Sequence, residues 1–214
     1  MSTWIRRDYE GVGVTQAPPG RYLERLQEPY LGKVLLCIDV SGSMASLDGE
    51  RRNRLQRATA GAERFVAEAV RAHYEVGLIL WNHGVAGSVP LARDPGKLLR
   101  ALRSARIQGG NNIVPTLRLG IQLLGQLTGD RVMAIFGDGD IGPVEAAAKV
   151  ARQASETGIR IVVRGLGDQA TRELNLIATD PDEQGAVGRR SADIEQGIAS
   201  MITSVVGGLG RRRR

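Results

Sequence analysis

The sequence predicts an α/β fold in which a doubly wound, mostly parallel central sheet carries helices on both faces and one antiparallel strand at its edge. Apolar runs typical of buried strands alternate along the chain with amphipathic helical segments. Most of these runs are continuously apolar, as expected for strands that helices cover on both sides. A chain of 214 residues is also long enough to bury the core of one such domain without disulfides or metals.

Five segments are predicted to be strands because they are short, rich in aliphatic residues and bounded by turn residues. They are Val34–Val40, Tyr74–Trp81, Val85–Leu91, Arg131–Gly137 and Ile159–Gly165, and a weaker candidate is Gly185–Arg189. Val85–Leu91 contains glycine and proline, which weaken the pairing of a central strand, so we expect this segment at the edge of the sheet.

Helices are predicted where apolar residues recur at steps of three and four. They are Arg51–Ala72, Pro95–Arg106, a segment through Leu117, Ile121 and Leu124, Val144–Thr157, Thr171–Ala178, and a last helix from a Ser191 cap to about Val206. Gly158 stands where a glycine commonly closes a helix. These helices serve as the right-handed crossovers that parallel strands require.

The domain boundaries follow from the same pattern. Residues 1–32 are poorly patterned and form an N-terminal extension, residues 33–206 form the domain, and residues 207–214 form a flexible arginine-rich tail. Lys and Arg number 29 against 23 Asp and Glu, a net charge of +6, and four of these charges are the terminal arginines. The rest of the chain carries only about +2, and aromatic residues make up 4 %, which argues against a stacking platform for nucleic acid.

Several classes of protein are excluded by composition. The chain has one cysteine, Cys37, so an intrachain disulfide and a finger-type zinc site are ruled out. No apolar run approaches the roughly 18–20 residues that span a bilayer. No apolar segment follows Arg6 and Arg7, so a secretory signal is not expected and the predicted location is cytoplasmic.

Polar residues with metal-binding chemistry follow two of the predicted strands. Asp39 lies near the end of the predicted strand Val34–Val40 and is followed by Ser41 and Ser43, and Asp138 follows Arg131–Gly137. In a doubly wound sheet, ligands bind beyond the carboxyl ends of the strands where the strand order reverses. Two carboxylates that meet there repel one another, and neither motif contains a lysine or histidine that would neutralise them. Carboxylates, hydroxyls and amide oxygens are the ligands that Mg²⁺ or Mn²⁺ prefers.

These residues resemble the von Willebrand factor type A domain and its metal-ion-dependent adhesion site. The resemblance rests on Asp39-x-Ser41-x-Ser43, on a Gly-Gly-Asn-Asn loop at 109–112 and on the Asp138-Gly139 pair, in the family's order of elements from about residue 33 to 206. In that family, two serines and a threonine of the middle loop bind the metal, and the aspartates act directly or through water. The open coordination position receives an acidic side chain of a protein partner.

The resemblance implies a metal site formed by Asp39, Ser41, Ser43, Asn111 and Asp138. Asn111 stands where the family usually has threonine, and its carbonyl oxygen is also a neutral, hard donor. We therefore expect a non-catalytic module that recruits an Asp or Glu of another protein. The resemblance to intracellular bacterial proteins of this type implies partners such as an AAA+ ATPase or a stress-response complex.

An enzymatic alternative is a Mg²⁺-dependent phosphate-ester hydrolase with Asp39 as nucleophile. Enzymes of the haloacid dehalogenase type need a second aspartate two residues further on, and here that residue is Ser41. An acyl-transfer site would need a histidine base, and the two histidines, His73 and His83, flank the second strand.

Two sequence features bear on binding of nucleotides or nucleic acid. The glycines of Gly137-x-Gly139-x-x-Gly142 match a dinucleotide pattern, but Asp138 and Asp140 would repel a pyrophosphate there. The tail Arg211–Arg214 could contact an anionic surface such as nucleic acid.

Overall fold

The structure, a computed structural model, describes residues 31–47, 51–137, 140–165, 168–179 and 194–207. Its centre is a five-stranded sheet in the order β3-β2-β1-β4-β5. The strands are β1 (Gly32–Asp39), β2 (Tyr74–Trp81), β3 (Val85–Ala92), β4 (Arg131–Gly137) and β5 (Arg160–Gly165). All neighbouring strands run parallel except β2 and β3, so the predicted fold class, including an antiparallel strand at the edge, is confirmed.

Six helices connect and cover these strands in the described part of the chain. They are α1 (Arg54–Arg71), α2 (Gly96–Arg103), α3 (Val114–Leu124), α4 (Val144–Glu156), α5 (Asp168–Asn175) and α6 (Ile194–Gly207). None of the described helices is long and apolar enough to cross a membrane. The candidate strand Gly185–Arg189 and the Ser191 cap lie outside the described residues.

The chain winds outward from β1 in both directions, and this places helices on both faces of the sheet. Right-handed crossovers that move in opposite directions must pass over opposite faces. One buried cluster accordingly joins the sheet to α1, α2 and α6, and the other joins it to α3, α4 and α5. Along β1, Leu36 and Ile38 belong to the first cluster and Leu35 and Cys37 to the second. Burial raises the pKa of the Cys37 thiol, as expected for a cysteine that serves in packing.

Several helix boundaries differ from the prediction, and local hydrogen bonds explain the differences. Helix α1 begins at Arg54 rather than Arg51 because Asn53 and Gln56 form a reciprocal capping box. Helix α2 ends at Arg103 rather than Arg106 because Gln108 N–H donates to Val40 O at 2.7 Å, which draws the chain toward β1.

Helices α4 and α5 show the same effect at their C-terminal ends. Helix α4 ends at Glu156, and Gly158 has a φ of +77°, which confirms the predicted glycine cap. Helix α5 ends at Asn175, three residues earlier than predicted, because the following residues return to β5. There Ile161 N–H donates to Thr179 Oγ1 at 2.7 Å, and Thr179 N–H donates to Ile161 O at 3.1 Å.

A polar cluster at the amino ends of the strands fixes α6 to the sheet. Asp130, which is 5 % exposed, accepts hydrogen bonds from Tyr74 Oη at 2.7 Å and from Arg160 Nη2 at 2.7 Å. Arg160 Nη2 also donates to Val205 O at 2.6 Å, at the C-terminal end of α6. The Arg160 guanidinium thus binds backbone carbonyls that have no hydrogen-bond partner within the last turn of the helix.

Candidate functional site

The strand order reverses between β1 and β4, and the candidate site lies at the carboxyl ends of these two strands. Ile38 pairs with Phe136, so Asp39 and Gly137 end neighbouring strands at the same edge. A Cβ atom added at Gly137 would lie 3.4 Å from Asp39 Oδ2, so this carboxylate faces the end of β4. Asp138 follows Gly137 directly in the chain but lies outside the described residues. The position of Asp39 agrees with the rule for doubly wound sheets.

Asp39 orders the loop that carries the two serines. Its side chain is 0 % exposed, and its Oδ1 accepts a 2.7 Å hydrogen bond from the backbone N–H of Ser41. A single 3-10 turn follows at Gly42–Ala45, with Met44 buried beneath it. The hydroxyl oxygens of Ser41, which is buried, and of Ser43, which is exposed, lie 3.0 Å apart. The loop therefore holds two hydroxyl donors side by side, one of them open to solvent.

The middle loop, residues 109–112, is hydrogen-bonded to the ends of β1 and β2. Gln108 N–H, just before it, donates to Val40 O at 2.7 Å, and Asn112 N–H donates to Asn82 O at 2.7 Å. Asn82 Nδ2 donates to Gln108 Oε1 at 3.0 Å, and the Asn82 side chain is buried. The loops after β1 and β2 and the middle loop thus form one continuous hydrogen-bonded edge.

Close backbone packing joins the middle loop to the loop after β4. Gly142 has a φ of +81°, and a Cβ atom there would lie 2.7 Å from Asn111 O. Ile113 N–H donates to Ile141 O at 3.0 Å. Because glycine tolerates both the positive φ and the close approach, the two loops meet with their backbones in contact.

Asn111 carries the observation that bears most directly on metal binding. Its Oδ1 is inaccessible to solvent and has no hydrogen-bond partner in the described part of the chain. A buried acceptor without a hydrogen bond costs free energy, so this oxygen is a candidate to bind a group beyond the described residues. Thr116 lies inside α3, and its buried Oγ1 is likewise without a hydrogen bond to any described residue.

The donor set is suited to a hard cation rather than a soft one. Within the described ranges no group of three or more His, Cys, Asp or Glu could hold a metal. The available donors are instead the Asp39 carboxylate, two serine hydroxyls and the Asn111 amide oxygen, which fit Mg²⁺ or Mn²⁺. In chemical type, the described residues are therefore compatible with a hard divalent cation.

Two further residues, Trp81 at the end of β2 and Asn82 directly after it, support the site, and sequence reasoning did not find Asn82. Asn82 connects the loops through its backbone and its side chain, and its position immediately after a buried strand was the available signal. Trp81 lies beneath the site: it is 0 % exposed, and its Nε1 donates to Phe136 O at 3.3 Å. Its ring reaches across β1 to the end of β4, and a Cβ atom added at Gly137 would lie 3.0 Å from the ring.

Comparison with known proteins decides the family. Residues 34–140, half of the 214-residue chain, match the family model described as the von Willebrand factor type A domain. The chain belongs to this family. Von Willebrand factor type A (VWA) domains often mediate protein–protein interaction or adhesion. A comparison with curated proteins found no match.

Solved structures that resemble this VWA domain share its fold at low sequence identity. The VWA domain of the type V pili tip protein Mfa5 from Porphyromonas gingivalis is 14 % identical at a TM-score of 0.66, covering 86 % of this chain and 97 % of that one. BatB from Bacteroides thetaiotaomicron, a conserved hypothetical protein, is 19 % identical at a TM-score of 0.63, covering 82 % and 99 %.

A third resemblance is to a much longer protein. The pilus adhesin SpaC from Lactobacillus rhamnosus GG is 17 % identical at a TM-score of 0.66, and the match covers 84 % of this chain. The VWA domain described here spans only 31 % of the SpaC chain.

Proposed function

We propose that this VWA domain is a non-catalytic, metal-dependent protein-binding module. In this proposal Asp39, Ser41, Ser43, Asn111 and Asp138 hold one Mg²⁺ or Mn²⁺ ion, and a partner protein contributes an Asp or Glu side chain. When bound, the cation supplies a positive centre with an open coordination position for that carboxylate. An AAA+ ATPase or a stress-response complex is the kind of partner that the family resemblance suggests.

The observation that carries the proposal is the buried Oδ1 of Asn111, which has no hydrogen-bond partner among the residues that the structure describes. Gln108, directly before the loop that carries Asn111, donates to Val40 O, which stands between β1 and the two serines. A metal ion bound to this oxygen would remove the free-energy cost of burying it without a partner. The family position that Asn111 occupies supports the same role.

Each residue of the site has a distinct part in the proposal. Asp39 fixes the serine loop through its bond to Ser41 N–H and contributes negative charge at the reversal point. Ser41 and Ser43 offer neighbouring hydroxyls. Since Ser43 is the exposed member, a partner carboxylate would approach from its side.

The hydrolase alternative is disfavoured by the geometry at Asp39. A phosphoryl-accepting carboxylate needs an oxygen that a substrate can reach in line. Asp39 is 0 % exposed, and its Oδ1 already accepts the bond from Ser41 N–H. The proposal therefore assigns this carboxylate to ordering the loop and to the cation, rather than to covalent chemistry.

Titration calorimetry with MgCl₂ and MnCl₂ tests the proposal. The parent chain should bind one cation, and Ser43→Ala should weaken or abolish this binding. The matched control is Ser46→Ala, an exposed serine three residues further along the same loop, and it should bind as the parent does. Equal binding by all three chains, or none by the parent at millimolar cation, would overturn the proposal.

A further inference from the structure

A groove between α1 and the segment that follows α2 lies beside the serine loop. Its volume is about 430 Å³. Leu55 and Thr59 of α1 line one side, and Leu102, Arg103, Arg106 and Ile107 line the other. Leu55 and Leu102 are buried, so the floor is apolar, while the side chains of both arginines are exposed.

Both walls of the groove are anchored to the loop that carries Ser41 and Ser43. On the α1 side, Arg54 N–H donates to Ser46 O at 3.1 Å, and Ser46 N–H donates to Ser43 O at 3.1 Å. On the opposite side, Ile107 precedes Gln108, whose N–H donates to Val40 O. The groove therefore lies beside the loop that carries the candidate serine ligands.

The charge of the groove is positive. No acidic residue lines it in the described part of the chain. Arg103 pairs with Glu63 at 2.6 Å, whereas no ion pair or hydrogen bond within the described ranges involves the Arg106 guanidinium. Lys97 and Arg100 precede these residues at intervals of three along α2, and both are exposed. Residues three apart are neighbours on a helix surface, so basic side chains continue from α2 to the groove.

An exposed apolar side chain stands next to this groove. Leu47 is 70 % exposed and pairs with Asn53, a residue of the groove wall, through an isolated β-bridge. The exposed Leu47 side chain and the groove arginines thus lie on the same side of the loop that carries Ser41 and Ser43. A surface of this kind is complementary to a protein segment that combines acidic and apolar residues.

We propose that this groove, named here the arginine groove, binds an acidic segment of the protein partner. The inference rests on the proposed function: one carboxylate of the segment occupies the cation site, and further carboxylates of the same segment face Arg103 and Arg106. An apolar side chain of the segment lies against Ile107 and Leu47. The groove thereby selects partners in which further acidic residues flank the Asp or Glu that binds the cation.

The probe for this proposal is a fluorescein-labelled peptide of glutamates with one central leucine, and its binding to the full chain is followed by fluorescence anisotropy. At low salt and saturating MgCl₂, Arg103→Ser/Arg106→Ser should weaken binding roughly five- to tenfold. Arg106→Ser alone should give part of this loss and leaves the Arg103–Glu63 pair in place. The matched control, Arg118→Ser/Arg172→Ser, removes two exposed arginines from α3 and α5, and it should bind as the parent does.

The outcomes separate the groove from the metal site. If Mg²⁺-dependent binding is equal in the groove variants and the control, or if the parent does not bind the peptide, the arginine groove is overturned while calorimetry still decides the metal site. If the groove variants lose binding but EDTA has no effect, the groove is supported and the metal-dependent function is overturned. If a single-stranded oligonucleotide of equal charge competes as well as unlabelled peptide, the site is a general polyanion site and the acidic-protein proposal is wrong.

Discussion

Arg160 donates to both carboxylate oxygens of Asp130, from Nε to Oδ1 at 3.1 Å and from Nη2 to Oδ2 at 2.7 Å. The pair is nearly excluded from solvent, with side-chain exposures of 12 % and 1 %. Because Arg160 also binds carbonyls at the end of α6, the pair connects β4, β5 and the last described helix. The candidate site lies at the opposite, carboxyl end of the same strands.

Asp130→Ala should destabilise the domain strongly because it leaves the Arg160 cation buried and unpaired. Removal of one partner of a buried pair typically costs about 3–5 kcal/mol. Urea unfolding measures the loss. The control is Glu63→Ala, which removes the partner of the exposed Arg103 and should change stability far less. Similar losses in the two variants would show that the Asp130 pair is not a structural anchor.

Stability should fall at alkaline pH because of Tyr74. Burial first, and then the hydrogen bond and charge of Asp130, raise the pKa of Tyr74, while Arg160 acts in the opposite direction. Above about pH 10 the unfolded chain loses the phenol proton and the native chain retains it. The raised pKa of Tyr74 therefore stabilises the native state fully below about pH 10. Above that pH the free energy of unfolding falls by up to about 1.4 kcal/mol per pH unit because of Tyr74.

The alkaline effect is measured by urea unfolding between pH 9 and 11, and Tyr74→Phe should have the shallower pH dependence. Burial also raises the pKa of Cys37, so this thiol adds its own decrease in the free energy of unfolding, which begins at a lower pH than that of Tyr74. Both chains are therefore compared in a Cys37→Ala background. Parallel pH profiles would contradict the assignment to Tyr74.

Metal binding should raise the melting temperature. A cation bound only to the native state at about 100 times its dissociation constant adds roughly 2.7 kcal/mol, which for a chain of this size is on the order of 5–11 °C. Differential scanning calorimetry with MgCl₂ should show this shift, and EDTA should reverse it. Asp138→Ala should abolish the shift, and the metal-free form of this variant should melt above the metal-free parent because one negative charge is gone. A parent chain that does not respond at any cation concentration would argue against the site.

Asn111 variants should separate its role in metal binding from any role in folding. Asn111→Ala should lose most of the Mg²⁺-induced shift, and Asn111→Thr, which restores the usual family residue, should retain it. In EDTA neither variant should be markedly less stable than the parent, because Oδ1 makes no hydrogen bond to a described residue. A full Mg²⁺ response in Asn111→Ala would remove this residue from the ligand set.

Gly142→Ala should disturb the contact between the middle loop and the loop after β4. The positive φ and the 2.7 Å approach to Asn111 O together should cost roughly 1–3 kcal/mol and weaken Mg²⁺ binding. Gly84→Ala is the control, since a Cβ there meets nothing within 4 Å. Chemical unfolding and calorimetric titration of both variants would show whether the close contact matters.

The sequence determined the fold class and the positions of most strands. Continuous apolar runs such as Tyr74–Trp81 and Arg131–Gly137 are local signals, and both strands have the predicted bounds. The candidate ligands Asp39, Ser41 and Ser43 were also visible, because a carboxylate and two serines directly after a buried strand form a compact pattern. Asn111 was a candidate because the Gly-Gly-Asn-Asn loop at 109–112 resembles the middle loop of the family.

Tertiary structure alone decided the ends of α2 and α5, the burial of Asn82 and Trp81 under the site, and the cluster of Tyr74, Asp130 and Arg160. The helix ends depend on hydrogen bonds to strands far away in the chain, so a prediction from local periodicity extends the helices too far. The cluster joins residues that are 30 to 56 positions apart. No local pattern records such pairings, because strand order, rather than sequence spacing, brings their charges together.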